Sequence, residues 1–155
     1  MTTIGKFRHL SRATTSDGHF VIMAIDHRNN LLEKLNQTAP KLYDNTAFSN
    51  FKQNVIKSLA PYASAVLTDP TYGIASSIIE NTIAGSMGLL APIEITDYGL
   101  HPSQRSMEFI PDWSVRKIKM IGGDGVKLLL PYHPEAENVQ EKYDTVEKIV
   151  AECST

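Results

Sequence analysis

Short apolar runs alternate along this chain with longer segments in which apolar residues recur at helical spacing. Each run ends in, or next to, polar or charged residues. The four runs are His19–Asp26, Ala63–Asp69, Gly88–Ile95 and Gly125–Tyr132. Near-continuous apolar strands separated by amphipathic helices are typical of a parallel sheet that is covered by helices. The pattern therefore predicts strands at the four runs.

The segments between the runs are predicted to be helices. Residues of about 45–60 form the clearest one, and Pro61 is expected to end it. Its apolar stripe consists of Phe48, Phe51, Val55 and Leu59. The last helix is predicted near the end of the chain. Its stripe consists of Val139, Tyr143, Val146, Ile149 and Val150.

Two further helices are predicted on either side of the third run. The first extends from Ile74 to Ala84, with Gly85 as its stop. We expect its isoleucines to face inward, namely Ile78, Ile79 and Ile83. The second is expected to be capped by Asp112. Residues that could face a sheet follow this cap, namely Trp113, Val115, Ile118 and Ile121.

The resulting order, βαβαβαβα, fits either an open doubly wound sheet or a barrel. The sequence Asp26-His27-Arg28-Asn29 follows the first predicted strand, where a dinucleotide-binding fold would carry a glycine-rich loop. This disfavours a Rossmann nucleotide site. The pair Gly122-Gly123 precedes a strand and is interpreted as a helix-to-strand turn.

Composition is that of a globular protein and narrows the classes of partner. The 155 residues are 42% hydrophobic and 21% charged, with a formal net charge of −2. No basic field exists to attract nucleic acid, and no apolar run is long enough to span a membrane. The single cysteine, Cys153, excludes a disulfide scaffold and fits a reducing compartment. We expect a soluble, cytoplasmic protein that binds neither nucleic acid nor membrane.

Polar residues at the carboxyl ends of parallel strands are the first candidates for chemistry, because ligands bind at that edge. The first strand leads to Asp26, His27 and Arg28. The second ends in Asp69, and the fourth carries Lys127 among apolar neighbours. The third carries Glu94 and leads to Thr96-Asp97. The histidines form no zinc-binding motif and Gly-x-Ser-x-Gly is absent, so neither a metal site nor a hydrolase elbow is predicted.

Each candidate also has a structural interpretation. Lys127 is either a catalytic or phosphate-binding amine or a lysine that extends from the strand end to solvent. Asp26 and Asp69 could belong to a site or could cap turns. Arg28 could clamp a phosphate or lie in a solvated loop, and His27 could be an acid/base group or an exposed loop residue.

Three segments resemble, in order, the tagatose 1,6-bisphosphate aldolase family and its relatives, the sulfofructosephosphate aldolases. Phe20–Arg28 (FVIMAIDHR) is similar to the family's first strand. Phe51–Gly73 is similar to its helix, second strand and Asp-Pro-x-Tyr-Gly loop. Trp113–Tyr132 is similar to its helix, glycine-rich turn and fourth strand. The matches extend across nearly the whole chain.

The resemblance implies an α/β fold of the (β/α)₈ TIM-barrel type, of which residues 1–155 would form about the first four β/α units, a half-barrel, in one domain. It also implies a class I aldolase, which cleaves a ketose 1,6-bisphosphate or a sulfo-analogue by a retro-aldol reaction. The products are dihydroxyacetone phosphate and an aldehyde. Such enzymes use a lysine Schiff base and need no metal, so we expect a small sugar phosphate as partner and no cofactor.

Carried onto this chain, the resemblance makes Asp26 and Lys127 catalytic residues, while His27, Arg28 and Asp69 are candidate substrate-binding residues. Lys127 matches a fourth-strand lysine that assists proton transfer beside the Schiff base. His27 stands where relatives often carry glutamine. The family's fifth-strand glutamate and sixth-strand Schiff-base lysine have no counterpart in these residues, and a barrel of this type needs about 250 residues. We therefore expect a truncated aldolase with little or no turnover by itself.

Two alternatives remain open. The chain could be a non-catalytic sugar-phosphate-binding or assembly half-barrel, or two copies could pair into a pseudo-barrel. In each case we expect the four strands to be parallel in the order 1-2-3-4, with Asp26, Asp69 and Lys127 at their carboxyl edge. An open edge on the first or fourth strand would favour self-association, so a homo-oligomer is expected.

Overall fold

A computed structural model describes residues 3–39, 42–95 and 99–154 of the chain. These residues form six helices and six strands, with short 3₁₀ turns at Ala60–Tyr62 and Pro102–Gln104. The elements are α1 (Ile4–Ala13), β1 (Ile22–Ile25), α2 (Asn29–Thr38), α3 (Asn45–Leu59), β2 (Ala65–Thr68), α4 (Ile74–Ile79), β3 (Gly88–Pro92), β4 (Glu94–Ile95), β5 (Glu108–Phe109), α5 (Val115–Met120), β6 (Gly125–Lys127) and α6 (Val139–Glu152).

The four apolar runs form one parallel sheet in the order β1-β2-β3-β6. Its register aligns Met23 with Val66, Val66 with Leu89, and Ala91 with Val126. The predicted parallel order is therefore confirmed, although each strand is shorter than the run that predicted it. The fold is α/β, and the parallel register brings the carboxyl ends of all four strands to one edge.

The two faces of this sheet differ in burial. The face that carries Val66 and Leu89 packs against the helices and forms the hydrophobic core. The opposite face carries Ala24, Leu67 and Leu90, which are exposed or half-buried. Most of the helices therefore cover one side of the sheet, whereas Ala13 at the end of α1 lies against Gly88 at the amino end of the opposite face.

Helix α3 agrees with its prediction. Asp44 caps it by accepting a hydrogen bond from the backbone N–H of Ala47 at 2.7 Å, a common N-terminal arrangement. Phe48 and Ile56 are fully buried, whereas Leu59, expected on the same stripe, is 50% exposed. Pro61 lies in the 3₁₀ turn that follows, as its missing N–H requires.

Helices α1 and α2 were not predicted. Only Ala13 of α1 is buried, and no residue of α2 is. The apolar side chains of α1, Ile4, Phe7 and Leu10, are exposed rather than packed in the core. Helix α1 is instead held by polar contacts to Asp124, whose carboxylate accepts hydrogen bonds from the His9 ring at 2.7 Å and from the Leu89 N–H at 3.0 Å, and which pairs with Arg12 at 3.3 Å.

Two predicted helix boundaries were wrong. Helix α4 ends at Ile79, not at Ala84, and Asn81 adopts the left-handed conformation (φ 52°) expected at Gly85. Of the three isoleucines expected to face inward only Ile83 is buried, while Ile78 and Ile79 are 45% and 79% exposed.

The cap predicted at Asp112 is the second of these errors. Asp112 does not cap α5 and has a φ of 56°. Ser114 caps the helix instead, by accepting a hydrogen bond from the Lys117 N–H at 3.3 Å. The helix therefore begins two residues later than the predicted cap implied.

The third run divides at its end. Pro92 ends β3, and Glu94–Ile95 form β4, which pairs antiparallel with β5 in a separate two-stranded sheet. Residues Thr96-Asp97, which the sequence placed after this strand, lie outside the described residues. Within the described residues, none of the helices has the length and apolar character needed to cross a membrane.

Candidate functional site

Three charged side chains meet where the strands of the parallel sheet end. Asp26 follows β1, Glu94 lies just beyond β3, and Lys127 is the last residue of β6. The Lys127 ammonium (Nζ) lies 2.5 Å from Glu94 Oε1 and 3.1 Å from Asp26 Oδ2. The structure therefore brings Asp26 and Lys127 together at the predicted edge, with Glu94 as a second carboxylate.

The electrostatics of this cluster favour the charged amine. The Lys127 side chain is 26% exposed, and the Glu94 side chain is almost fully buried. Burial lowers the pKa of Lys127, but hydrogen bonds and charge from Glu94 and then Asp26 outweigh it, and the pKa is raised above its ordinary value. At neutral pH Lys127 is therefore an ammonium held between two carboxylates.

A cleft of about 540 Å³ opens beside the cluster. Asp26 and Lys127 line it, together with the segment after β1. The loop after β2 and the segments around β4 and β5 also line it. The lining consists of Asp26, His27, Arg28, Asn29, Asn30, Thr71, Tyr72, Ile95, Ile110, Pro111, Lys127 and Leu129.

His27 and Arg28 both line this cleft, but they differ in their contacts. His27 is exposed. Arg28 is half-buried and donates a hydrogen bond from one terminal nitrogen to the backbone carbonyl of Glu94 at 2.8 Å. Arg28 therefore ties the end of β1 to the end of β3 while it faces the cleft.

Asp69 lies at the same sheet edge but is separate from the Asp26–Lys127 pair. Its side chain is fully buried and forms an ion pair with Lys52 of α3. Its Oδ1 accepts hydrogen bonds from the backbone N–H groups of Thr71 at 2.9 Å and Tyr72 at 2.8 Å. Asp69 is at the predicted carboxyl edge but is not among the residues that line the cleft, and its carboxylate pairs with Lys52 rather than with Lys127.

Lys52 is the residue that sequence reasoning missed. It lies four residues from Phe48 and four from Ile56, both fully buried, and so occupies a core position of α3. A lysine at a core position needs a buried partner. That spacing was visible in the sequence, but the partner was not, because Asp69 is brought to Lys52 only by folding.

A metal site was not predicted. Within residues 3–39, 42–95 and 99–154, no three histidine, cysteine, aspartate or glutamate side chains converge in a group that could hold a metal ion.

Comparison with known proteins gives consistent matches. The model of the DeoC/LacD family of aldolases matches residues 20–155. A tagatose 1,6-diphosphate aldolase of Listeria monocytogenes serotype 4a is 39% identical over 153 residues, which cover 97% of this chain and 44% of that protein. Tagatose 1,6-diphosphate aldolase 2 of Enterococcus faecalis is 34% identical over 154 residues, which cover 98% of this chain and 45% of that protein. The chain thus spans a little under half the length of these curated relatives.

Proposed function

Because this chain belongs to the DeoC/LacD family of aldolases, we propose that it forms part of a class I aldolase. The reaction is retro-aldol cleavage of a ketose 1,6-bisphosphate to dihydroxyacetone phosphate and an aldehyde. The observation that carries the proposal is the Asp26–Lys127–Glu94 cluster beside a cleft of about 540 Å³.

The architecture supports a place in a (β/α)₈ barrel. Four parallel strands in sequential order, with helices on one face, correspond to about the first four β/α units of such a barrel. The cluster lies at the carboxyl edge of the strands, where TIM-barrel enzymes carry their active sites. In this proposal residues 1–155 are a half-barrel within one domain.

The charge state of Lys127 supports a role beside the Schiff base rather than in it. An amine attacks a carbonyl only when it is unprotonated, and nucleophilic lysines are activated by a lowered pKa. The pKa of Lys127 is raised by Glu94 and Asp26 despite its burial. Lys127 would therefore stabilise negative charge on the substrate and exchange a proton with it, while Asp26 orients the ammonium.

The retro-aldol step itself needs two further groups. A base removes the proton of the substrate hydroxyl, the carbon–carbon bond breaks, and its electron pair moves into an iminium formed on a lysine. The family resemblance assigns that lysine and the acid/base glutamate to sixth and fifth strands, which have no counterpart in these 155 residues. We therefore expect the chain alone to bind the sugar phosphate without efficient turnover.

The sugar phosphate is proposed to contact His27 and Arg28. Both face the cleft, and the guanidinium of Arg28 can donate to phosphate oxygens from the nitrogens that do not bond the Glu94 carbonyl. The Asp69 carboxylate already accepts hydrogen bonds from Lys52, Thr71 and Tyr72. Asp69 would therefore affect substrate binding indirectly, by holding the loop that carries Thr71 and Tyr72.

The test is titration of the 155-residue chain with dihydroxyacetone phosphate, followed by NMR, beside Lys127→Met. Lys119→Met is the matched control, because Lys119 is exposed and lies outside the cleft. We expect shifts at residues lining the cleft in the wild type and in Lys119→Met, and their loss in Lys127→Met. Equal shifts in all three proteins would count against the proposed site.

Two activity measurements accompany this titration. We expect no appreciable release of triose phosphate from tagatose or fructose 1,6-bisphosphate in a coupled assay. Borohydride trapping with dihydroxyacetone phosphate and mass mapping locates any Schiff base. Clear activity that vanishes in Lys127→Ala, with trapping at Lys127, would make Lys127 the Schiff-base residue and overturn the supporting role.

A second candidate function is assembly, and the exposed face of the sheet favours it. β1 and β6 are the outermost strands of the described sheet, and Ile22 on the open face is 41% exposed. Unpaired strand edges recruit partners, so self-association into a homo-oligomer is proposed. Light scattering tests it: a concentration-independent monomer would oppose assembly, whereas a dimer that binds no sugar phosphate would favour it over the aldolase role.

A further inference from the structure

Lys52 is buried between α3 and the parallel sheet. Its side chain is 0% exposed and leaves the middle of α3 toward the carboxyl edge of β1 and β2. Its ammonium donates to the backbone carbonyl of Ile25 at 2.9 Å and to the carboxylate of Asp69. The Phe48 ring centroid lies 5.3 Å from the same nitrogen.

The charged groups around Lys52 come from both strands. Asp69 pairs with it directly, and Asp26 and Arg28 lie within electrostatic range. Burial lowers the pKa of Lys52, and the attraction of Asp69 and Asp26 offsets this only in part, while Arg28 lowers it further. Burying a charged lysine carries a cost of desolvation that its ion pair with Asp69 offsets only in part, so its presence here requires an explanation beyond packing.

Lys52 cannot act on a substrate, because it is fully buried and does not line the cleft. Its two acceptors nevertheless belong to two segments that contribute residues to the cleft. The Ile25 carbonyl is the peptide oxygen immediately before Asp26. Asp69 accepts hydrogen bonds from the N–H groups of Thr71 and Tyr72, which also line the cleft. One ammonium thus joins the end of β1 to the loop after β2.

We propose that Lys52 is a positioning residue: by bonding the Ile25 carbonyl and Asp69 together, it holds the Asp26 carboxylate against the Lys127 ammonium. This inference rests on the proposed function, in which the Asp26–Lys127 pair serves the reaction. In this proposal a residue of α3 that lies outside the cleft maintains the distance of 3.1 Å between Asp26 Oδ2 and Lys127 Nζ.

The direction in which the pKa of Lys127 changes when Lys52 is replaced distinguishes a positioning role from the simple loss of a positive charge. Lys52 is a positive neighbour, so its removal with the geometry unchanged would raise the pKa of Lys127 or leave it where it is. If Asp26 instead loses its position, Lys127 loses a nearby carboxylate that favours its charged form, and its pKa falls. Glu94 remains in contact with Lys127 in both cases.

The experiment measures the titration of Lys127 directly. The amines of the intact chain are labelled with trace acetic anhydride over a series of pH values, and modification of each lysine is quantified by mass spectrometry. The variants are Lys52→Met, Asp26→Asn and their combination. Lys142→Met is the matched control, because Lys142 is also fully buried but lies on α6 and does not line the cleft.

The expected result is a lower titration midpoint for Lys127 in Lys52→Met and Asp26→Asn, with no further lowering in the double variant. Lys142→Met should leave the midpoint unchanged. An unchanged or raised midpoint in Lys52→Met overturns the proposal. So does a further lowering in the double variant, or an equal lowering in Lys142→Met, which would indicate a general loss of structure.

Lys52→Met leaves the Asp69 charge buried without its cation and could unfold the chain. The variant Lys52→Met/Asp69→Asn removes that charge while the asparagine oxygen can still accept from Thr71 and Tyr72, and the same lower midpoint is expected. This assay uses no sugar phosphate. A lower midpoint without dihydroxyacetone phosphate binding would leave the positioning role standing and refute the proposed function.

Discussion

Gly73 lies where the loop after β2 returns against its own strand, and its replacement by alanine should destabilise the fold. A Cβ atom at this position would be 1.9 Å from Thr68 Oγ1, 3.1 Å from Thr68 Cβ and 3.2 Å from the Asp69 carbonyl oxygen. Thr68 is fully buried, so its side chain cannot move into solvent. The same loop carries Asp69, Thr71 and Tyr72, and therefore one wall of the cleft.

The magnitude follows from two opposing terms. Overpacking a well-packed site costs about 1–3 kcal/mol, and alanine recovers about 0.4–1 kcal/mol by restricting the unfolded chain. The expected net loss is about 1–2 kcal/mol in the free energy of unfolding, and a chain of this length then loses about 2–8 °C in Tm. Urea unfolding followed by circular dichroism measures it.

Thr68 provides the control. Thr68→Ala removes Oγ1, which has no hydrogen-bond partner in the described part of the chain. In the Thr68→Ala background, Gly73→Ala should therefore lower the free energy of unfolding much less than it does in the wild type. Thr68→Val retains two γ atoms and should not. The explanation by steric contact is refuted if Gly73→Ala is equally destabilising in the Thr68→Ala and Thr68→Val backgrounds.

Two further predictions concern charged groups. The pKa of Lys127 is raised above 10.5, so the stability that its ion pairs contribute is fully present below pH 10.5 and is lost as the pH rises through the raised value. The difference in urea stability between the wild type and Lys127→Met should therefore shrink above pH 10.5, and a difference that stays constant would contradict this. Asp124→Ala should cost about 3 kcal/mol because it leaves the Leu89 N–H unpaired and breaks the contacts to His9 and Arg12. The exposed Asp144→Ala should change stability by less than about 0.5 kcal/mol, and similar losses for the two aspartates would exclude this role of Asp124.

Local pattern predicted the four strands and helix α3 but missed helices α1 and α2, in which almost no residue is buried. The four strands follow near-continuous apolar runs, and α3 buries Phe48 of its predicted stripe. Helix α6 buries only Ile149 of its predicted stripe and leaves Tyr143 and Val150 exposed. Helix α1 is held by His9 and Arg12 on Asp124, a contact across more than 110 residues that no periodicity reveals. Turn positions failed for another reason: Asn81 and Asp112 adopt positive φ angles that the surrounding structure imposes on residues other than glycine.

The sequence by itself determined that the sheet is parallel and that Asp26 and Lys127 follow its strands, because apolar runs and strand ends are local properties. Tertiary structure alone decided which charges meet. Asp69 follows a strand as Asp26 does, yet it faces Lys52 and is excluded from the cleft, whereas Glu94 reaches Lys127. The reason is physical: a buried charge must find its partner in three dimensions, and the pairs Lys52–Asp69 and Lys127–Glu94 join residues that lie 17 and 33 positions apart.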